Sequence, residues 1–200
     1  MKIENIKTNI NFNARYIGKA EVVQLCKETG KYNPIETSFA EIDTSNRLDI
    51  NALNKISKIW EELSTNIYHN TSEKFIGNKS YRNIRTFAIT KQNDDFEHLD
   101  ENKILALADV EETIPNKACH LCHIMGDPNY VKAITPEYMG PGTSLMKNLQ
   151  NIYDHIKLIS ENNQKTRMFY RKNDFYEHPP KSNRFSWSKD IFSVLGINKK

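Results

Sequence analysis

The sequence predicts one α/β domain, a mixed and mostly antiparallel sheet with helices on both faces. Three observations predict it. Extended runs rich in β-branched and aromatic residues recur along the chain, amphipathic stretches interrupt them, and no linker separates the two kinds. The resulting order, β-β-α-β-β-β-α-β-α-β-β, is accommodated by one sheet covered on both sides. The chain has 200 residues and no internal repeat or Pro/Gly/Ser-rich tract. It is therefore read as a single domain over 1–200, with an N-terminal hairpin and helix in 1–82 and the main core in 83–190.

The first pair of strands lies between Tyr16 and Ile42, broken by a turn at Glu28-Thr-Gly-Lys31. Ile50, Leu53, Ile56, Trp60, Leu63 and Ile67 then recur at three- and four-residue steps, the spacing of a helix with one apolar face, with Asp49 as the expected N-cap. Ile84–Lys91 and Lys103–Val110 read as strands joined by the polar loop Gln92–Glu101, which contains Asp94, Asp95 and Asp100. Ala118–Met125 reads as a further strand, ended by Gly126-Asp-Pro128. Beyond it come a helix over Gly140–Asp154, a strand over His155–Ser160 and a helix over Asn163–Lys172. Two short strands, Phe175–His178 and Arg184–Ser188, complete the reading.

Composition narrows the class of function. Hydrophobic residues make up 38% and charged residues 26%, the balance of a globular chain. No run approaches the roughly 18 apolar residues that span a bilayer. Met1–Asn13 lacks the basic-then-apolar layout of an export signal, and with only three cysteines the expectation is a reducing, cytoplasmic setting. Net charge is +3, too little to point to nucleic acid. The basic residues are unevenly placed, however. Lys147–Lys200 carries 11 basic and 5 acidic side chains. That surplus favours a phosphate-bearing ligand on this half, and equally describes a solvated basic face.

One segment stands out. In Glu137-Tyr-Met-Gly-Pro-Gly-Thr-Ser-Leu-Met146, two glycines sit between a strand and a helix. Glycines let the backbone approach a ligand, and the first amides of a helix have no partner within it and lie at the positive end of its dipole. Such a place holds phosphate oxygens. Neither Walker-A nor dinucleotide-binding spacing is present. Taken alone, the segment reads equally well as a turn and cap.

A second segment, Asn163-Gln-Lys-Thr-Arg-Met-Phe-Tyr-Arg-Lys-Asn-Asp-Phe175, follows after one strand. Together the two resemble the GNAT acetyltransferases, whose acyl-CoA loop reads Arg/Gln-x-x-Gly-x-Gly/Ala. The helix that follows in that family reads Asn-x-x-Ala-x-x-x-Tyr-x-Lys-x-Gly-Phe, matched here by Asn163, Thr166, Tyr170, Lys172, Asp174 and Phe175. The resemblance is strongest from Leu121 to Phe175. It implies a GNAT-like acyl-CoA N-acyltransferase fold and transfer of an acetyl group from acetyl-CoA to a primary amine. It implies main-chain contacts to the CoA pyrophosphate from Met139, Gly140, Gly142, Thr143 and Ser144. A pantetheine arm would pair along Ile124, Met125 and Gly126, and Asn163 would cap the following helix beside the cofactor. Tyr170 would be the general acid that protonates the departing thiolate; its bland alternative is an aromatic packing the helix on the sheet. An acetyl-CoA cosubstrate and an amine acceptor are the implied partners, with no nucleic acid and no membrane. Glu137 in place of Arg or Gln, Pro141 in the loop and Asp174 in place of glycine depart from the pattern. They leave a catalytically weakened acyl-CoA- or partner-binding module as the alternative.

Glu111, Glu112 and His123 are candidate general bases, each with a plain structural reading beside it. Cys119-His-Leu-Cys-His123 also matches the Cys-x-x-Cys-His pattern of covalent haem attachment. On a regular strand its two cysteines point to opposite faces, which does not suit a haem anchor, and no second ligand pair at finger spacing follows to complete a zinc site. No metal is expected, and these side chains are read as core or cleft lining.

Overall fold

The structure, a computed structural model, describes residues 14–43, 46–63, 83–92, 98–131 and 133–190. Ile67 of the expected first helix, Asp94 and Asp95 of the expected loop, and Met1–Asn13 lie outside them.

The elements follow the expected order, with additions. Strands β1 (Arg15–Leu25) and β2 (Tyr32–Ile42) precede helix α1 (Arg47–Leu63), and β3 (Ile84–Thr90), β4 (Ile104–Ile114) and β5 (Ala118–Gly126) follow. A short helix α2 (Pro128–Val131) and a two-residue strand β6 (Tyr138–Met139) lead into α3 (Pro141–Ile152). The chain continues with β7 (His155–Ile159), α4 (Gln164–Lys172), β8 (Tyr176–Glu177) and β9 (Arg184–Ser188). All these strands join one sheet in the order β6-β1-β2-β3-β4-β5-β7-β9-β8. Every pairing in it is antiparallel except β5 with β7.

Each face of the sheet has its own apolar core, and the side-chain alternation of the strands assigns them. On one face Ile42, Ala88, Leu107 and Met125 pack beneath Leu53, Ile56 and Trp60 of α1. On the other, Phe39, Phe87, Ala106 and Ala108 meet Leu145, Met146 and Leu149 of α3, with Tyr170 and Phe175 at the α4 end. Burying apolar stripes of this size on both sides is what holds a sheet this wide.

Asp49 is not the cap of α1. The helix begins at Arg47, and the Asn46 side chain accepts a hydrogen bond from the Leu48 amide at 2.8 Å. Asp49 is fully buried instead, accepting from the amides of Leu99 and Asp43 at 3.3 Å each. Burial pushes its carboxyl above the ordinary range. It ties the start of α1 to the segment that enters β4.

One polar cluster is set into the α3 face. The Arg85 guanidinium donates to Glu41 at 2.6 Å and to Glu112 at 2.7 Å, and its plane lies 5.0 Å from the Phe87 ring. The hydroxyl of the buried Tyr153 donates to the same Glu112 oxygen at 2.9 Å. Burial pushes the Glu112 carboxyl up, but the hydrogen bonds from Arg85 and Tyr153 outweigh it and hold the group below its ordinary 4.5. Arg85→Ala strands two acidic partners and is expected to cost roughly 3 kcal/mol in urea denaturation. A carboxyl held below its unfolded value stabilises the fold at higher pH and loses that effect as it protonates. Stability is therefore expected to fall as pH drops below 4.5, and Glu112→Gln to make that decline shallower.

Candidate active site

Strands β5 and β7 begin as parallel neighbours and then part. Their ladder runs from Ala118–His155 to Leu121–Leu158, although β5 continues to Gly126. At the parting point β5 carries a bulge: against β4, Leu121 pairs with Val110 and His123 with Asp109, leaving Cys122 as the extra residue. A bulge bends its strand and shifts the phase of the side chains beyond it. Cys119 and Leu121 belong to the α3-side core, whereas after Cys122 it is Ile124 that packs there and Met125 that joins the α1 side.

The fork so formed opens into a cavity of about 610 Å³, within the range of small-molecule sites. One wall is the diverging end of β5, from Cys122 to Gly126, continued by Asp127, Tyr130 and Val131. The opposite wall is α4, presenting Lys165, Thr166, Phe169 and Tyr170. The floor is the turn Tyr138–Thr143 at the start of α3.

The floor is rigidly set. Gly140 caps α3 with φ of +87°, the left-handed region that glycine enters without a Cβ clash. Its carbonyl accepts from the Ser144 amide at 2.8 Å, the first bond of the helix. The amides of Gly142 and Thr143 consequently have no partner within the helix and lie on the cavity floor at the positive end of the dipole. Pro141 occupies the first helical position, where a missing N–H removes nothing the helix would use. A Cβ on Gly142 would lie 3.4 Å from the Phe169 ring, so α4 rests directly on the start of α3. On the other side, β6 pairs with β1 through Met139–Val23 and Tyr138–Gln24. The Gln24 amide donates to the Tyr138 hydroxyl at 2.9 Å and to the Glu137 carboxylate at 3.2 Å. Glu137 is thereby held against β1 and does not line the cavity.

No known family profile matches the chain, and no curated protein sequence does. Solved structures similar to it include the following three. An aminoglycoside 6'-acetyltransferase type Ii has 12% identity and a TM-score of 0.45, over 75% of this chain and 96% of that one. GCN5 of Tetrahymena has 12% identity and a TM-score of 0.43, over 78% and 84%. An aminoglycoside 6'-N-acetyltransferase complexed with coenzyme A has 10% identity and a TM-score of 0.40, over 75% and 96%. The likeness is loose at each of these scores.

The cavity gathers most of the residues singled out from the sequence. Ile124, Met125, Gly126, Met139, Gly140, Gly142, Thr143 and Tyr170 all line it. Ser144 does not: it is buried, and its amide is committed to Gly140. Asn163 caps α4, its side chain accepting from the Thr166 amide at 2.8 Å, and lies outside the lining. Tyr170 is buried among aromatic rings, 5.2 Å from Phe169, 5.4 Å from Phe185 and 5.9 Å from Phe175 between centroids. Burial, with the Glu161 charge adding to it, pushes its phenol up to about 12. Of the candidate bases, His123 lines the cavity, while Glu112 is bound into the Arg85 cluster and Glu111 is outside the lining. Cys119 is buried in the core, Cys122 lines the cavity, and among the described residues no cluster of side chains is arranged to hold a metal. Nor is any described helix long and apolar enough to cross a membrane.

Lys165, Phe169, Tyr130 and Asp127 were not singled out by sequence. A basic residue in the first turn of a helix and an aromatic beside Tyr170 are signals present for two of them. Asp127, raised by burial, accepts from the Asn129 amide at 2.9 Å and so shapes the β5–α2 corner. Gly140→Ala is expected to destabilise the fold by about 1–2 kcal/mol, because alanine pays the left-handed penalty there; urea denaturation reads it.

Proposed function

We propose that the chain is an N-acetyltransferase that moves an acetyl group from acetyl-CoA to a primary amine. The observation that carries this reading is the continuity of the cavity, which joins the bare amides of α3, the diverging β5 edge and the buried hydroxyl-bearing ring of Tyr170. These are three requirements of one ligand: an anionic diphosphate, an extended arm and a thioester end. When bound, acetyl-CoA supplies an acyl group on sulfur that is activated toward nucleophiles.

The residues present fit that ligand. The Gly142 and Thr143 amides meet the diphosphate, with Lys165 adding positive charge from the α4 wall. The segment Ile124–Gly126 accompanies the pantetheine arm as a neighbouring strand would. Gly126 lets Val131 close in beside that path, since a Cβ there would stand 2.9 Å from Val131 Cγ2. At the inner end Tyr170 supplies a proton. A group that must donate has to be protonated at neutral pH, and a phenol pushed up to about 12 is. Transfer of that proton to sulfur lets the thiol depart, and the rings around Tyr170 fix its direction.

The features that favour a weakened binding module are accommodated. Pro141 lies where no amide is needed, and the Glu137 carboxylate is turned to Gln24. Asp174 adopts φ of +65°, the left-handed conformation for which the family pattern has glycine. A solvent-filled setting with no membrane and no nucleic acid, in the cytoplasm, accords with this substrate chemistry.

Acetyl-CoA is expected to raise the melting temperature of the purified protein. Tyr170→Phe is expected to lower turnover by about 10²-fold while leaving that shift in place. A protein indifferent to both acetyl-CoA and CoA contradicts the proposal.

A further inference from the structure

The Cys122 bulge does more than open the fork: it turns His123 to the α1 face. Without the extra residue, regular alternation from Cys119 and Leu121 would set His123 on the α3 side with them. With it, His123 shares the side of Met125, which belongs to the α1-side core. On that face β3, β4 and β5 form a rung in which Thr86 pairs with Asp109 and Asp109 with His123. Directly paired residues of adjacent antiparallel strands hold their Cβ atoms about 5 Å apart. Asp109 and Thr86 are each 1% exposed, and the Thr86 hydroxyl donates to Asp109 Oδ1 at 2.5 Å. The Asp109 carboxyl is thus set beside the His123 ring on one rung of the sheet, and an imidazole is the side chain suited to taking up a proton near neutrality. His123 itself is only half-buried and lines the cavity that Tyr170 lines from α4.

We propose that His123, set in place by Asp109, accepts the proton that the acceptor amine loses as it attacks. This rests on the reading of the cavity as an acetyl-CoA site. The step balances. The amine nitrogen uses its lone pair to bond the acetyl carbon, its surplus proton passes to an imidazole nitrogen of His123, the carbon–sulfur bond breaks, and sulfur takes the Tyr170 proton. Asp109 is a positioning residue and Thr86 holds it. The acceptor enters from the α1 face, opposite the α4 wall that carries the acid.

The test compares two nucleophiles with the full-length protein. Benzylamine is strongly basic, so its nitrogen holds its protons and needs a base to take them; methoxyamine is weakly basic, and once it has attacked, its nitrogen gives up the surplus proton to water. CoA release from acetyl-CoA is followed with a thiol reagent. His123→Gln is expected to lower kcat/KM for benzylamine about 10²-fold and that for methoxyamine by less than about threefold. Asp109→Asn, which keeps the buried shape, shows the same split to a smaller degree. The acetyl-CoA thermal shift, retained in both variants, reports that they fold and bind. Equal loss with both amines, or an unchanged benzylamine rate, overturns the assignment. So does a wild-type protein that binds acetyl-CoA but releases no CoA to either amine, and in that case the cofactor site stands. A wild-type protein that fails to bind acetyl-CoA removes the site and the base together.

Discussion

A parallel pair of strands that stops pairing partway leaves main chain facing open space, and the rest of this site is arranged around that fact. The ladder between β5 and β7 ends at Leu121. At the next residue the Cys122 bulge takes up one unpaired position against β4 and bends β5 away. Both edges of the gap remain anchored in the larger sheet, β5 by β4 and β7 by β9. The fork is thus held open by strand pairing on its outer sides.

What fills the fork is decided by the elements that close it. Helix α3 brings its N-terminus to the floor, and a left-handed glycine lets the chain turn sharply enough to do so. Helix α4 leans on that start through Phe169 and buries Tyr170 beside it. Strand β1, lying at the far side of the sheet from the fork, reaches the same floor through β6 and the Gln24 contacts. The apolar cores on the two faces and the Arg85 cluster hold the sheet against α1 and α3 on either side of this corner.

Much of this was legible in the sequence where the determinants are local. Asn163 caps α4 through an amide three residues on, and a cap of that range is written in adjacent letters. Gly140 and Pro141 mark the start of α3 for equally local reasons. The features that escaped depend on distant partners. Asp49 looks like an N-cap, but its burial follows from Leu99, fifty positions away. Strand β6 has two residues and exists through pairing with β1. The bulge at Cys122 is silent in Cys119–His123, since only the register against β4 reveals the extra residue. For that reason the side to which His123 turns was not readable from alternation.

The central claim is that one ligand spans the α3 amides and the diverging edge of β5. Backbone amide shifts measured by NMR while CoA is titrated into the protein test it most directly. The account predicts that the largest changes fall together on Gly142 and Thr143 and on His123 through Gly126, two segments brought together only by the fork. Changes confined to another surface, such as the groove between α1 and the segment Leu99–Glu101, would contradict it.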